Sequence, residues 1–336
     1  MIKEAIEEVI SYRDLSEQEM TEVMEEIMEG RASSAQIGSF ITGLRMKGET
    51  IAEVTGAARV MRKHAIFIDA SSNNILDTCG TGGDRSNTFN ISTTTALVAA
   101  GGGLTVAKHG NRSVSSKCGS ADLLEELGVN IHAEPEVVEQ CVQEIGIGFL
   151  FAPIFHGAMK YTADARREIG VRTIFHMLGP LTNPAGATCQ LLGVYASELT
   201  EMFTGVLKNL GTKRAFVVNG SDGLDEITLC GETRVTELSD GQIKTYNLNA
   251  HDFFEKTYSP ENFRGGDPKV NARITRGILA GKEGAHRDIV LINASAALVV
   301  GGAAKDLKAG IKLAEEIIDS GQAEKKLEQL IELSNR

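Results

Sequence analysis

At 336 residues, with 42% apolar and 24% charged side chains, the chain suits one large globular domain or two unequal ones. A formal net charge of −11 argues against a general nucleic-acid-binding surface, so an anionic ligand must be drawn by a local basic cluster. The five cysteines (Cys79, Cys118, Cys141, Cys189 and Cys230) are scattered without a C-x-x-C, and no stretch approaches the ~18 continuous apolar residues of a membrane span; a disulfide framework, a zinc site and a membrane helix are therefore not expected.

The first 65 residues read as helices only. The opening, 1–10, is charged and lacks the apolar core of a signal peptide, so the expected location is the cytoplasm. Ser16-Glu-Gln-Glu19 has capping-box form, and Met20, Val23, Met24, Ile27 and Met28 follow at helical spacing. Gly30 and Gly48 are natural stops, and 51–64 repeats the pattern with Ile51, Val54, Ala58 and Met61. The Met-rich stripe reads as core or subunit interface.

After Asn74 strands alternate with helices. Short apolar strands are expected at 74–76, 104–107, 129–131, 148–151, 191–195 and 215–218, with helices over 91–100, 121–127, 136–145 and 198–210. Helical material from about 158 to 178 interrupts this pattern, 233–248 reads as an exposed two-strand excursion, and the tail from 293 is helical. The expected fold is α/β: a small N-terminal helical domain (1–70, joined by helices from about 158–190) and a larger domain (71–336) with a central, mainly parallel sheet flanked by helices.

The first chemical signal is Asp77-Thr-Cys-Gly-Thr-Gly-Gly-Asp-Arg-Ser-Asn-Thr-Phe-Asn-Ile-Ser-Thr93, between a strand and a helix. Gly80, Gly82 and Gly83 let backbone N–H groups share one concavity, and the next helix turns its positive end there with Asn90, Ser92 and Thr93 as further donors. This is a cradle for phosphate or pyrophosphate. Arg85 stands where a dinucleotide fingerprint has its third glycine, and Gly281-Lys282-Glu283 fails as a P-loop, so NAD and ATP are not the expected ligands.

Lys108-His-Gly-Asn-Arg-Ser-Val-Ser-Ser-Lys-Cys-Gly-Ser120 follows the next strand. Lys108, Arg112 and Lys117 can neutralise phosphate, Ser113, Ser115, Ser116 and Ser120 supply short donors, and Gly110 and Gly119 would let the loop move. Asp225 and Glu226 follow the 215–218 strand and suit Mg²⁺ held partly through substrate phosphates; an extended chain would point them to opposite sides. Arg166 or Arg167 could clamp a carboxylate. His109 and His156 lack triad partners and read as pocket lining, and Cys79 and Cys118 as small packing residues.

Taken in order, these motifs resemble the anthranilate phosphoribosyltransferase family. The matching residues include Asp77–Asp84, Asn90-Ile-Ser-Thr93, Lys108-His-Gly-Asn-Arg-Ser113, Gly119-Ser-Ala-Asp-Leu-Leu-Glu-Glu-Leu-Gly128, Arg166-Arg-Glu, Leu178-Gly-Pro-Leu-Thr-Asn-Pro184, Gly223-Leu-Asp-Glu226 and Gly265-Gly-Asp267. The resemblance covers essentially the whole chain. It implies transfer of the phosphoribosyl group of 5-phospho-α-D-ribose 1-diphosphate (PRPP) to the amine of anthranilate, in tryptophan biosynthesis. It further implies that Gly80, Gly83, Asp84, Thr88, Asn90, Ile91, Ser92, Thr93, Lys108, His109, Gly110, Asn111, Arg112, Ser113, Val114, Ser115, Ser116 and Ser120 hold PRPP. Gly80, Asn111 and Arg166 would contact anthranilate, Lys108 and Arg166 would be the catalytic pair, and Ser92, Asp225 and Glu226 would hold Mg²⁺, with two ions expected per subunit. A homodimer through the helical domain is implied as well, with no nucleic-acid or membrane partner.

Two departures stand out. His176 occupies a position where the family usually has Asn, and Gly157 one where Pro is frequent. A pyrimidine nucleoside phosphorylase shares the Lys-His-Gly-Asn-Arg loop, but its first loop runs Thr-Gly-Gly-Val-Gly-Asp-Lys, and Gly82-Gly-Asp-Arg-Ser here lacks the Val-Gly insert. A non-catalytic, nucleic-acid-binding relative would need a basic face and the loss of these acids or loops.

Overall fold

The computed structural model describes residues 1–84, 86–113 and 117–336. Four helices come first: α1 (Ile2–Ile10), α2 (Glu17–Met28), α3 (Ser34–Lys47) and α4 (Ile51–Lys63). Ser16, Ser33 and Thr50 each cap the helix behind them in a capping box, so three starts are set by local side-chain chemistry. Their apolar stripes, including Met20, Val23, Met24, Ile27 and Met28, are buried against one another. Glu53 ties this layer together. Its buried carboxylate accepts the Leu15 N–H at 2.9 Å and the Thr50 N–H at 2.8 Å, and pairs with the Lys47 ammonium at 3.0 Å.

The α/β part begins with β1 (Ile75–Gly80), α5 (Ile91–Gly101), β2 (Thr105–Gly110), α6 (Ser120–Leu127), α7 (Pro135–Ile145) and β3 (Ile147–Phe151). A helical interlude follows: α8 (Ala152–Phe155), a 3₁₀ turn (Gly157–Thr162), α9 (Ala163–Ile169) and α10 (Ile174–Leu178). The chain returns through β4 (Cys189–Gly193), α11 (Leu199–Asn209), β5 (Arg214–Gly220), β6 (Glu232–Ser239) and β7 (Gln242–Asn249). It ends in α12 (Pro268–Leu279), α13 (Ala285–Val300), α14 (Leu307–Asp319) and α15 (Gln322–Ser334). No helix among the described residues is long and apolar enough to cross a membrane.

The sheet order is β3-β2-β1-β4-β5-β6-β7. The first five strands in that order are parallel, and β6 and β7 form an antiparallel edge hairpin turned by Asp240 and Gly241, both at positive φ. The chain builds outward from β1 on one side and then returns to its other side with β4. The carboxyl ends of β1 and β4 therefore flank the point where strand order reverses, the crevice that open α/β sheets use for ligands. The α5 helix, apolar nearly all round, is buried with α13 and α15 on one face. The opposite face, carrying Leu192 and Val217, shares a core with α11, α10 and the N-terminal helices. The interlude packs back on that layer, α9 on α3 and α10 on α4.

The expected α/β architecture with a small helical layer is the one observed, with differences in detail. Residues 129–131 are a turn, not a strand. Gly128 ends α6 in the left-handed region at φ 102°, and the Val129 N–H returns 2.9 Å to the Leu124 carbonyl, so Val129 is the buried apolar residue of a helix stop. Strands β1 and β2 run on to Gly80 and Gly110, which makes Lys108 and His109 strand residues instead of loop residues. α12, begun by the Asp267 cap on the Val270 N–H and by Pro268, was not anticipated.

Glu53→Ala is expected to lower the unfolding free energy by about 3 kcal/mol, because it leaves the Leu15 and Thr50 N–H groups without their acceptor and removes one of the two acids paired with the buried Lys47 ammonium. Urea unfolding measures this; a loss below about 1 kcal/mol would remove Glu53 from its place as the tie of the helical layer.

Candidate functional site

Three segments meet at the carboxyl ends of β1, β2 and β4. The turn after β1 is pinned on each side. The Thr81 N–H bonds the Gly193 carbonyl at 2.9 Å, and the Thr81 hydroxyl accepts the Tyr195 N–H at 3.2 Å. Further on, the Phe89 N–H bonds the Phe263 carbonyl, Thr88 bridges Arg264, and the Gly265 N–H reaches the Asn87 carbonyl. Gly82 and Gly83 adopt positive φ of 65° and 73°, which turns the backbone where a Cβ would be strained. Arg85 lies outside the described residues.

The positive end of α5 opens onto this turn. Asn90 does not cap it with its side chain. Its amide donates to the Cys118 carbonyl at 3.1 Å and accepts from Asn271 at 2.9 Å, which ties the α5 start to the second loop and to α12. The Ser92 N–H faces the Glu226 carboxylate, and the Ser92 carbonyl accepts the Thr78 hydroxyl at 2.9 Å. Thr93 Oγ1 is buried with no hydrogen-bond partner among the described residues.

Lys108 is buried, and its ammonium donates to the Thr78 carbonyl at 2.5 Å, directly under the first turn. Its charge acts on Asp77 and Glu226. Arg112 is already neutralised by two acids of α6: its guanidinium bonds Asp122 at 2.8 Å and Glu125 at 2.8 and 3.0 Å. Asp122 also accepts the Ser113 and Gly119 N–H groups, and the Ser120 hydroxyl donates to the Asn111 carbonyl at 3.2 Å. The two loop glycines serve close approach: a Cβ on Gly110 would overlap the Ser120 hydroxyl, and one on Gly119 the Ser113 backbone. Val114, Ser115 and Ser116 lie outside the described residues.

Asp225 and Glu226 sit in a bend after β5, not in an extended strand, and both face the first loop. Asp225 Oδ2 accepts the Gly82 N–H at 2.9 Å, and the Glu226 carboxylate faces the Ser92 N–H. Burial, with Asp84 nearby, pushes the Asp225 carboxyl up to about 7. Burial and the adjoining Asp225 raise Glu226 well above the usual carboxylate range. Asp225 can come this close because its neighbours are glycines. A Cβ on Gly80 would overlap its carboxylate, and one on Gly193 its carbonyl. Crowded carboxylates beside Ser92 are a hard oxygen donor set, suited to a divalent cation that completes its shell with ligand oxygens. Among the described residues, no group of three or more His, Cys, Asp or Glu side chains is assembled to hold a metal without such help.

In α9, Arg166 lies 5.4 Å from the Phe175 ring centroid, and its Nε is buried without a hydrogen-bond partner among the described residues. Burial lowers its pKa. A half-buried guanidinium on an aromatic face, with an unpaired Nε, is suited to an incoming carboxylate. His176 Nδ1 accepts the Thr173 N–H at 3.2 Å and so caps α10. Burial lowers the His176 pKa, and the charges of Arg166 and Arg172 add to that. Among the described residues, nothing lies within 4 Å of a Cβ built on Gly157. His109 and His156 are buried with ring centroids 5.1 Å apart, and burial depresses both, His156 to about 4. Both rings are neutral at pH 7. Cys79 is buried against Gln190, with its thiol pKa pushed well up by burial. Sequence reasoning did not single out Arg172, which stacks 4.0 Å from the Tyr195 centroid and donates to the Gly82 carbonyl at 3.1 Å.

The family profile described as glycosyl transferase family, a/b domain, matches residues 72–324, and that described as glycosyl transferase family, helical bundle domain, matches residues 3–65. An anthranilate phosphoribosyltransferase of Desulfosudis oleivorans is 58% identical over 335 residues, 99% of each chain. The crystal structure of anthranilate phosphoribosyltransferase from Thermus thermophilus superposes with a TM-score of 0.93 at 41% identity, covering 99% of both chains. The Saccharomyces cerevisiae anthranilate phosphoribosyltransferase in complex with PRPP and Mg gives 0.91 at 29% identity, covering 99% of this chain and 98% of that one.

The raised Asp225 pKa sets a pH test. Its folded value near 7 lies above the ordinary ~3.9, so the folded protein holds a proton that the unfolded chain has released, and stability falls as pH rises between those values. The amide of Asp225→Asn cannot titrate, so without divalent cation the stability of this variant over the parent is expected to grow by about 2 kcal/mol from pH 5 to pH 8. Urea unfolding at both pH values checks this; a difference independent of pH would contradict it.

Proposed function

The chain belongs to the anthranilate phosphoribosyltransferase family, and from that premise we propose how its own residues carry the transfer. The enzyme moves the phosphoribosyl group of PRPP to the amine of anthranilate, giving N-(5-phosphoribosyl)anthranilate and pyrophosphate, a step of L-tryptophan biosynthesis. Neither a pyrimidine nucleoside phosphorylase nor a non-catalytic nucleic-acid-binding relative is favoured beside relatives of this identity and coverage.

The observation that carries the reading is the meeting of the glycine turn with the acid pair, where Asp225 accepts the Gly82 N–H. In this assignment Gly80, Gly83, Asp84, Thr88 and Asn90 to Thr93 hold the donor. Lys108 to Ser113 and Ser120 complete its site, and the parts given to Val114, Ser115 and Ser116 rest on sequence. Asp225, Glu226 and Ser92 would hold Mg²⁺, with two ions per subunit as our expectation; when bound, the metal offsets charge on the pyrophosphate.

Displacement at the anomeric carbon builds positive charge on the sugar and negative charge on the leaving group. Backbone N–H groups at the α5 terminus and the buried Lys108 supply fixed positive charge where the negative charge grows. Arg166 would clamp the anthranilate carboxylate, with Gly80 and Asn111 beside it, and so aim the amine. An aromatic amine is neutral and nucleophilic at pH 7, so a strong base is not required. The depressed pKa values of His109 and His156 agree with a lining role. We further propose a division into a helical domain (1–70, joined by about 158–190) and a donor-binding domain (71–336), a homodimer through the helical layer, and a cytoplasmic location.

Arg166→Ala is expected to raise the KM for anthranilate roughly 10–100-fold while leaving the KM for PRPP within about threefold. Following anthranilate fluorescence at varied concentrations of each substrate measures both. Equal weakening of the two substrates would remove Arg166 from the acceptor clamp.

A further inference from the structure

Arg172 stands in the link between α9 and α10, just past the end of the helix that carries Arg166. Gly170 ends α9 in the left-handed region at φ 64°, and Thr173 begins α10, so only a short stretch of chain carries Arg172. From there its side chain leaves the helical interlude and reaches the turn after β1. Nη2 donates to the Gly82 carbonyl at 3.1 Å, and the guanidinium lies 4.0 Å from the Tyr195 ring centroid. It also lies against Gly83, where a Cβ would overlap it. The Gly82 residue is thus held at both of its polar groups, its N–H by Asp225 at 2.9 Å and its carbonyl by Arg172. A two-glycine turn at positive φ has many alternative backbone states, so an outside hold on its carbonyl decides which way its N–H groups face.

We infer that Arg172, seated on Tyr195, is a positioning residue that holds the Gly82-Gly83 turn in its donor-binding form from the acceptor side of the crevice. The inference rests on the reading of that turn as the PRPP site. Arg172 needs no contact with either substrate for this. Its guanidinium is oriented by stacking and acts through one backbone carbonyl. One segment then carries both the acceptor clamp, Arg166, and the hold on the donor turn, Arg172.

The test is a double-mutant cycle with Arg172→Ala, Tyr195→Ala and the pair, together with Arg172→Lys and Ser92→Ala. Steady-state KM for each substrate, PRPP binding by calorimetry with Mg²⁺, and Tm are read for every variant. Arg172→Ala is expected to raise the KM and Kd for PRPP about tenfold, the loss of one hydrogen bond from a charged donor, with kcat within about threefold and Tm unchanged. Arg172→Lys recovers part of the loss, and the pair is no worse than the weaker-binding single variant. An unchanged KM for PRPP in Arg172→Ala beside a raised one in Ser92→Ala overturns the inference alone. Unchanged values in both variants overturn the donor-site reading beneath it. Additive losses in the cycle, or equal losses for both substrates with a lowered Tm, also overturn the inference.

Discussion

The site depends on one close approach: Asp225 lies across the paired ends of β1 and β4. Gly80 and Gly193 are register partners there, and a side chain on either would occupy the space that Asp225 takes. With both bare, the acid turn settles onto the strand ends and its carboxylate takes the Gly82 N–H. That contact joins the glycine turn to the acid pair. It also fixes where the positive end of α5 and the buried Lys108 must act.

Charge is distributed unevenly around this contact. Asp84, Asp225 and Glu226 crowd one side, where the buried Lys108 moderates Glu226 and Arg172 moderates Asp225. Arg112 is turned away to α6 and contributes to loop shape instead of field. Burial favours protons on Asp225 and Glu226 until a cation replaces them, which links metal affinity to pH. The segment that carries Arg166 has the opposite character: a half-buried guanidinium and an aromatic face, with neutral imidazoles at His109 and His156. On the proposed assignment, a donor that carries its own metal suits the acid pair and an acceptor that carries one carboxylate suits Arg166.

Much of this was legible in the sequence because the chemistry of the first loop is local. Glycines, hydroxyls and the helix start that follows all stand within residues 77–93. The helix caps at Ser16 and Thr50 are local in the same way. What escaped depends on tertiary contact. The orientation of Asp225 and Glu226 follows from Gly80 and Gly193, far away in sequence. Val129 has the composition of a strand residue but closes a helix, because Gly128 turns left-handed before it. Arg172 resembles any loop arginine until Tyr195 is placed beneath it.

The close approach at Gly193 can be tested directly by following Mg²⁺-dependent loss of anthranilate fluorescence on adding PRPP, in Gly193→Ala against the parent. Turnover that depends on Mg²⁺ is expected in the parent, with a loss of about 100-fold or more in Gly193→Ala and cooperative unfolding retained, because the added methyl displaces the acid turn from the donor loop. Full turnover of Gly193→Ala at an unchanged Mg²⁺ optimum would show that the site does not depend on this approach.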